Sequence, residues 1–271
     1  MIRLIALDLD GTLTNDEKII TPHTMHSLMQ AQRHGVRLCL ASGRPPYGMR
    51  PLAEQLRLSE YGGLLICYNG AHVEECATGR VLVEQKLDGT VLPELQEWQR
   101  KTGLTLMTYH DSHIYTEQPD NQYVRISCRN NKMEAVKVDN FATDAPHPIN
   151  KCLMVGPPET VRQWEPALQQ AFEGRLNILH STPYFIECLP PQIDKGLALE
   201  ALLPLLGLQS EELMACGDSF NDIGMLRYAG IGVAMQNAEE EVKAHADYIT
   251  SSNNDDGIAA ALNHFSDLIT G

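Results

Sequence analysis

The chain is short of positive charge. Its 21 lysines and arginines stand against 35 aspartates and glutamates, a formal net charge of −14. Phosphate backbones and anionic membranes attract basic surfaces, so neither nucleic acid nor membrane is expected as a partner. A small anionic substrate stays compatible where a local cation offsets the field. Long apolar runs are missing too, and no stretch approaches the ~20 residues of a membrane-spanning helix. The start shows no basic, apolar and cleavable segments in series, so no secretory leader is expected. The seven cysteines are odd in number and include no CxxC pair. Cys39, Cys67 and Cys216 lie in apolar, strand-like runs. They read as buried reduced thiols of a cytoplasmic protein, not as a disulfide framework or a redox centre. Internal repeats and low-complexity stretches are also lacking.

What is present suits a large globular fold: 271 residues, 43% of them hydrophobic. That exceeds the usual single α/β domain, and two domains are expected. The first part alternates strand and helix signals. Ile2–Leu7 reads as a buried strand. Thr21-Pro22 opens a helix through about Gln32, with threonine as cap and proline in the first turn. Val36–Leu40 and Leu64–Tyr68 are further strands, with a helix over Pro45–Arg57 between them. This rhythm implies a parallel sheet covered on both faces. It changes near Glu84. A helix over Val91–Thr102 is followed by strand candidates at Leu104–Tyr109, His113–Thr116, Tyr123–Cys128 and Lys151–Val155. A helix over Glu159–Phe172 and strands at Asn177–His180 and Phe185–Leu189 complete the stretch, which reads as α+β. Pro190-Pro191 marks a stiff boundary. The βα rhythm then returns: a helix over Leu197–Leu206 that Pro204 should kink or end early, strands at Leu213–Cys216 and Ile231–Met235, and helices at Asn221–Ala229, Glu239–Ala246 and Gly257–Leu268, with Tyr248–Thr250 extended. The expected architecture is a doubly wound α/β core, residues 1–83 and 190–271, interrupted by an inserted α+β domain, residues 84–189.

The segment Leu4-Ile5-Ala6-Leu7-Asp8-Leu9-Asp10-Gly11-Thr12 carries the sharpest chemical signal. Two carboxylates spaced two apart follow a buried strand, where side chains alternate in direction. Open α/β sheets bind ligands at such carboxyl ends. One aspartate can act as nucleophile while the other handles protons. Three other segments repeat the theme. Ser42-Gly43-Arg44 offers a hydroxyl, a flexible backbone and a helix start, which favours anions. Asp194-Lys195-Gly196 supplies one cation. Gly217-Asp218-Ser219-Phe220-Asn221-Asp222 adds two carboxylates and an amide, or, read blandly, a helix cap with Asp218 as the capping residue. Converging strand ends would crowd Asp8, Asp10, Asp218 and Asp222 into one small volume. Their mutual repulsion requires either protonation or a divalent cation. Hard carboxylate oxygens suit Mg²⁺ better than zinc.

Taken in order, these motifs resemble the haloacid dehalogenase superfamily of phosphatases. More narrowly, the chain resembles the Cof-type hydrolases with a type IIB cap inserted between the second and third motifs. Asn69-Gly70-Ala71 and Asn253 through Gly257 are similar to stretches typical of that subgroup. The resemblance implies that Asp8 attacks phosphorus and becomes a transient aspartyl phosphate. It implies that Asp10 protonates the leaving oxygen and then activates water. Asp8, the main-chain carbonyl of Asp10 and Asp218 would hold Mg²⁺, with Asp222 as a further ligand or in support of one. Ser42, Gly43, Lys195 and Asn221 would bind the phosphoryl group. The implied substrates are small phosphorylated metabolites, sugar phosphates first and phosphorylated cofactors next. The inserted cap would set the substrate range without supplying essential chemistry.

Two other functions compete. A phosphosugar mutase needs a second phosphate-holding geometry, and the insertion has no arginine-rich segment to provide it. A non-catalytic phospholigand sensor has no need of both a nucleophile and a proton donor. Within the insertion, His110 and His113 read as imidazoles exposed on a strand pair, and Trp98 and Trp164 as packing residues. Tyr115, Arg125, Lys151 and Tyr184 are the candidates there for substrate contact.

Overall fold

The apolar run at the start of the chain becomes a strand buried on both faces. The computed structural model describes residues 1–270. Its strands, numbered along the chain, are β1 (Leu4–Leu7), β2 (Arg37–Ala41), β3 (Leu64–Cys67), β4 (His72–Glu75), β5 (Val81–Glu84), β6 (Thr105–His110), β7 (His113–Thr116), β8 (Glu134–Lys137), β9 (Cys152–Val155), β10 (Asn177–Thr182), β11 (Phe185–Leu189), β12 (Leu213–Gly217), β13 (Ile231–Ala234) and β14 (Tyr248–Ile249). The chain divides into two compact units. One contains Met1–Gly43, Arg50–Val83 and the residues from Asp194 onward; the other contains Arg44–Met49 and Glu84–Ile193.

The first unit is built on a sheet of order β14-β13-β12-β1-β2-β3-β4-β5. The strands from β14 to β3 run parallel, and β4 returns antiparallel on β3. Leu4, Ala6, Cys39, Leu64, Ile66, Leu213 and Ala215 pack on Leu199, Leu202 and Leu203 of the helix Lys195–Leu206. Burial of such near-continuous apolar strands is what a parallel sheet covered by helices demands. The helix Pro22–Arg33 begins as its sequence dictates, with the Thr21 side chain accepting from the Thr24 N–H at 3.2 Å. The helix at Lys195 runs through Pro204 to Leu206 without the expected early stop. The carbonyl that proline cannot bond is that of Glu200, an exposed residue, so the missing bond is cheap.

The second unit has a sheet of order β10-β11-β9-β6-β7-β8, antiparallel except for β7 beside β8. Helices Leu92–Thr102 and Pro158–Ala171 cover one face, joining Leu92, Leu95, Val161 and Leu168 to Leu106, Met154, Ile178 and Ile186. The strand expected at Tyr123–Cys128 is instead a helix, Gln122–Asn131. Asn121 caps it by accepting from the Tyr123 N–H at 2.8 Å. Its buried positions, Val124, Ser127 and Asn131, follow the helical period, which overrides the β-favouring composition. Strands β4 and β8 escape a sequence reading because His72-Val73-Glu74-Glu75 and Glu134-Ala135-Val136-Lys137 carry few apolar residues.

The helices Lys195–Leu206 and Ile223–Tyr228 approach through two glycines. A Cβ on Gly196 would lie 2.4 Å from the Gly224 carbonyl carbon, and one on Gly224 would lie 2.0 Å from the Asp194 carboxylate. Backbone atoms on the opposite side cannot move aside cheaply. Gly196→Ala should therefore lower stability by ~1–3 kcal/mol in urea unfolding. An unchanged midpoint would show that these helices can part at little cost.

Candidate active site

Four parallel strands, β12, β1, β2 and β3, bring their carboxyl ends to the same edge of the first unit. Leu7 lies between Cys216 and Leu40, so the residues that follow β1 meet those that follow β12 and β2. The Asp8 N–H donates to the Cys216 carbonyl at 3.0 Å, and the Ser42 N–H to the Ile66 carbonyl at 2.9 Å. β1 sits where the chain order reverses, with β2 on one side and β12 on the other. Ligands of open α/β sheets bind at such a switch point.

The centre of this edge is a buried lysine. Lys195 is the first residue of its helix, and Asp194 caps that helix by accepting from the Gly196 and Leu197 N–H groups at 2.7 and 3.2 Å. The Lys195 side chain is fully buried, and its ammonium donates to Asp8 Oδ1 and Asp222 Oδ1, both at 2.6 Å. Burial disfavours the cation, but Asp222 and Asp8 outweigh it and hold its pKa above the usual lysine value. The second oxygen of Asp222 accepts from the Asp218 and Ser219 N–H groups at 3.0 and 2.9 Å. Asp222 thus has both oxygens engaged while it supports the loop that carries Asp218. Ser219 and Asp222 form a capping box over the single turn Phe220–Asp222, so Ser219 takes the capping place that a bland reading gives to Asp218.

Asp8, Asp218 and Asp222 each offer an oxygen within 4.8 Å of the others, the only such group of possible metal ligands among the described residues. One ammonium faces three carboxylates. Burial pushes the Asp8 carboxyl up to about 8; Lys195 opposes this, and the neighbouring carboxylates of Asp222 and Asp218 add to it. Burial likewise pushes Asp218 up to about 6, against the hydrogen bond from Thr12 Oγ1, 2.6 Å from its Oδ1. One cation against three carboxylates leaves the set short of positive charge, and its hard oxygen donors fit a divalent cation such as Mg²⁺.

Asp10 lies near enough for its charge to add to the rise at Asp218. Its own carboxylate pairs with Lys18 at 3.0 Å. β1 ends at Leu7, so by residue 10 the chain has left the strand and its alternation no longer applies. Gly11 makes the turn at φ +94°, and a Cβ there would lie 2.4 Å from Asp218 Oδ2. Ser42 and Gly43 lie beside Asn69, whose N–H donates to the Ser42 carbonyl at 3.0 Å. Asn221 Nδ2 donates to Asn69 Oδ1 at 3.0 Å. Sequence reasoning assigned no part to Thr12, Lys18 or Asn237. Asn237 Nδ2 holds the Gly11 carbonyl at 2.8 Å, and its Oδ1 accepts from the Asn253 N–H at 3.0 Å. Asn253 in turn donates to the Thr14 carbonyl at 3.0 Å. The Asn253–Gly257 stretch was visible as a motif, but its role as a strut for the first loop was not.

In the second unit, Lys151 is buried in an ion pair with Glu187 at 2.6 Å. Arg125 pairs with Asp120 at 2.7 Å on the surface, and Tyr184 stacks on Tyr123 with centroids 5.9 Å apart. Tyr115 meets the rings of His110 and His113 edge-on. Those two histidines face one another across the β6–β7 hairpin. Trp98 and Trp164 pack against each other at 6.2 Å, with the Lys101 ammonium 4.0 Å from the Trp98 centroid.

The fold and this edge place the chain among open-sheet α/β proteins with a polar site at the switch point, and comparison with known proteins narrows the class. A family model of haloacid dehalogenase-like hydrolases matches residues 5–262. The 5-amino-6-(5-phospho-D-ribitylamino)uracil phosphatase YcsE of Bacillus subtilis is 34% identical, over 97% of this chain and 96% of its own. A haloacid dehalogenase-like hydrolase from Bacteroides thetaiotaomicron superposes with a TM-score of 0.94 at 42% identity, covering 98% of this chain and 100% of the other. A sugar phosphatase of subclass IIB superposes at 0.81 with 26% identity, covering 97% and 99%. The chain belongs to the haloacid dehalogenase-like hydrolases, and within them it is a phosphoric monoester hydrolase of the Cof type.

Asp222→Ala should cost ~3–5 kcal/mol in denaturant unfolding, because it strands half the charge that compensates the buried Lys195. A loss below about 1 kcal/mol, the size for an exposed pair, would mean that the lysine is solvated rather than locked.

Proposed function

We propose that the chain is a Mg²⁺-dependent phosphatase of small, soluble phosphate monoesters, working through an aspartyl phosphate at Asp8. The observation that carries this reading is the Lys195 ammonium held at 2.6 Å by Asp8 and Asp222 beside Asp218. With Oδ1 bonded to Lys195, the other oxygen of Asp8 serves as the nucleophile toward phosphorus. Its lone pair forms the new P–O bond as the ester P–O bond breaks. Asp10 gives its proton to the leaving alkoxide. Water then attacks the same phosphorus, Asp10 takes a proton from it, and the Asp8–phosphorus bond breaks to release phosphate. Splitting the reaction this way lets a weak nucleophile serve if it is well placed.

Lys195, the Ser42 hydroxyl, the Gly43 backbone and the Asn221 carboxamide bind the phosphoryl oxygens. Asp8, Asp218 and the main-chain carbonyl of Asp10 would hold Mg²⁺, which supplies charge neutralisation on the phosphoryl oxygens. Asp222 acts through Lys195 and the Asp218 loop, since both its oxygens are engaged. Sugar phosphates are the first substrate class and phosphorylated cofactors the second; the sugar phosphatase among its relatives supports the first, and the ribitylaminouracil phosphatase supports a small phosphorylated metabolite in general. Residues 84–189 serve as the cap that sets the range, as their insertion between the Ser42 and Lys195 segments supports. The setting is cytoplasmic, in keeping with seven cysteines present as thiols.

Asp8→Asn should abolish hydrolysis of p-nitrophenyl phosphate while circular dichroism stays unchanged, the amide being nearly isosteric and a poor nucleophile. A folded variant with near wild-type turnover would remove Asp8 from the role. In Asp10→Asn, with the same good leaving group, the second step should fail more than the first, and acid quench should trap a phosphoenzyme. Equal loss on good and poor leaving groups, with nothing trapped, would count against Asp10.

Metal dependence has its own signature. Asp8 is raised to about 8 and Asp218 to about 6 without a cation, so binding must expel protons. Calorimetric titration of Mg²⁺ into chelator-treated protein should show tighter binding at pH 8 than at pH 6, with proton release. Full activity in excess chelator, or affinity independent of pH, would contradict the metal assignment.

A further inference from the structure

The Asn69-Gly70-Ala71 motif has no part in the chemistry described so far, yet it touches three of the segments that carry it. We propose that Asn69 is a positioning residue, whose carboxamide fixes the orientation of Asn221 and braces Gly43. The inference rests on the phosphatase reading above.

Beyond β3 the chain takes three consecutive left-handed residues, Tyr68 at φ 52°, Asn69 at φ 57° and Gly70 at φ 113°. Side chains rarely adopt that conformation, and asparagine tolerates it better than most. The turn is pressed against its neighbours. The Asn69 N–H donates to the Ser42 carbonyl at 3.0 Å. A Cβ on Gly70 would lie 2.6 Å from the carbonyl oxygen of Asp194, the residue that caps the Lys195 helix. A Cβ on Gly43 would lie 3.2 Å from both Oδ1 and Nδ2 of Asn69. The Asn69 side chain is buried, and its Oδ1 accepts from Asn221 Nδ2 at 3.0 Å across 152 residues of chain.

The chemistry of that last bond gives the turn its use. A carboxamide nitrogen carries two hydrogens in a fixed plane. With one directed at Asn69, the direction of the second is set, and so is the face that Asn221 offers. An unheld carboxamide can flip and present its oxygen, which repels a phosphoryl group, in place of its N–H. Asn69 thereby keeps a donor, rather than an acceptor, turned toward the anion.

Asn69→Gly isolates the effect, because glycine keeps the left-handed backbone and removes only the carboxamide. Kinetics on p-nitrophenyl phosphate with Mg²⁺ and inhibition by orthovanadate would be measured for Asn69→Gly, Asn221→Ala and the double variant. Each single change should weaken vanadate inhibition and lower kcat/KM about tenfold, the worth of one well-placed hydrogen bond. The double variant should be no worse than Asn221→Ala alone, since both act through one group. Losses that multiply, or wild-type vanadate inhibition in Asn69→Gly, would overturn the proposal. If Asn69→Gly does not fold, Asn69→Ser carries the same expectation, its hydroxyl being too short to reach Asn221. Asp8→Asn serves as control. Turnover there would sink the phosphatase reading itself, whereas a dead Asp8→Asn with a normal Asn69→Gly would sink only the role of Asn69.

Discussion

The structure of the first unit depends on one ammonium group kept out of water. Removing a lysine cation from solvent is expensive, and only close, well-oriented carboxylates make it tolerable. Lys195 has two, from Asp8 and Asp222. Those contacts tie the end of β1, the start of the Lys195 helix and the loop after β12 into one network. The glycines at 196 and 224 exist to let the backbones come near enough for it. The same network leaves a surplus of negative charge beside Asp218. Stability and reactivity here come from a single arrangement, in which the lysine repays its own burial and the remaining charge invites a cation.

Much of this edge was legible because it is local. Apolar strands that end in Asp8, Ser42 and Asp218 announce themselves by pattern and by the polar residues that follow. A sheet with parallel neighbours then brings those ends together regardless of loop detail. Lys195 was visible only as a charge at a helix start, and its complete burial was not. Strand alternation does not itself place Asp10, because β1 stops at Leu7 and Asp10 lies on the loop beyond it. Lys18, which faces Asp10, gives no sign in the sequence that it will do so.

Other features were illegible because distant contacts decide them. The helix Gln122–Asn131 carries Tyr123, Val124 and Ile126, residues that favour strands, and its buried stripe makes sense only once β6 and β8 are in place. Tyr109 Oη meets Ser127 Oγ at 2.9 Å, a contact from one face of that helix. Lys151 was a candidate for substrate contact, and its partner Glu187 lies on a strand that enters the sheet much later in the chain. Pro204 shows the converse, a local rule that lost to the packing of Leu199, Leu202 and Leu203 on the sheet.

The strand order has a consequence for a chain emerging from the ribosome. β1 is among the first elements made, yet one of its two neighbours is β12. Until residue 217 is available, that edge of β1 is open to pairing with any strand nearby, the usual hazard of an unfinished sheet. Asp8 meanwhile has no ammonium, for Lys195 lies close to the end of the same long wait. The entire second unit is synthesised in the interval. The site therefore cannot assemble before Lys195 and the loop after β12 have been made.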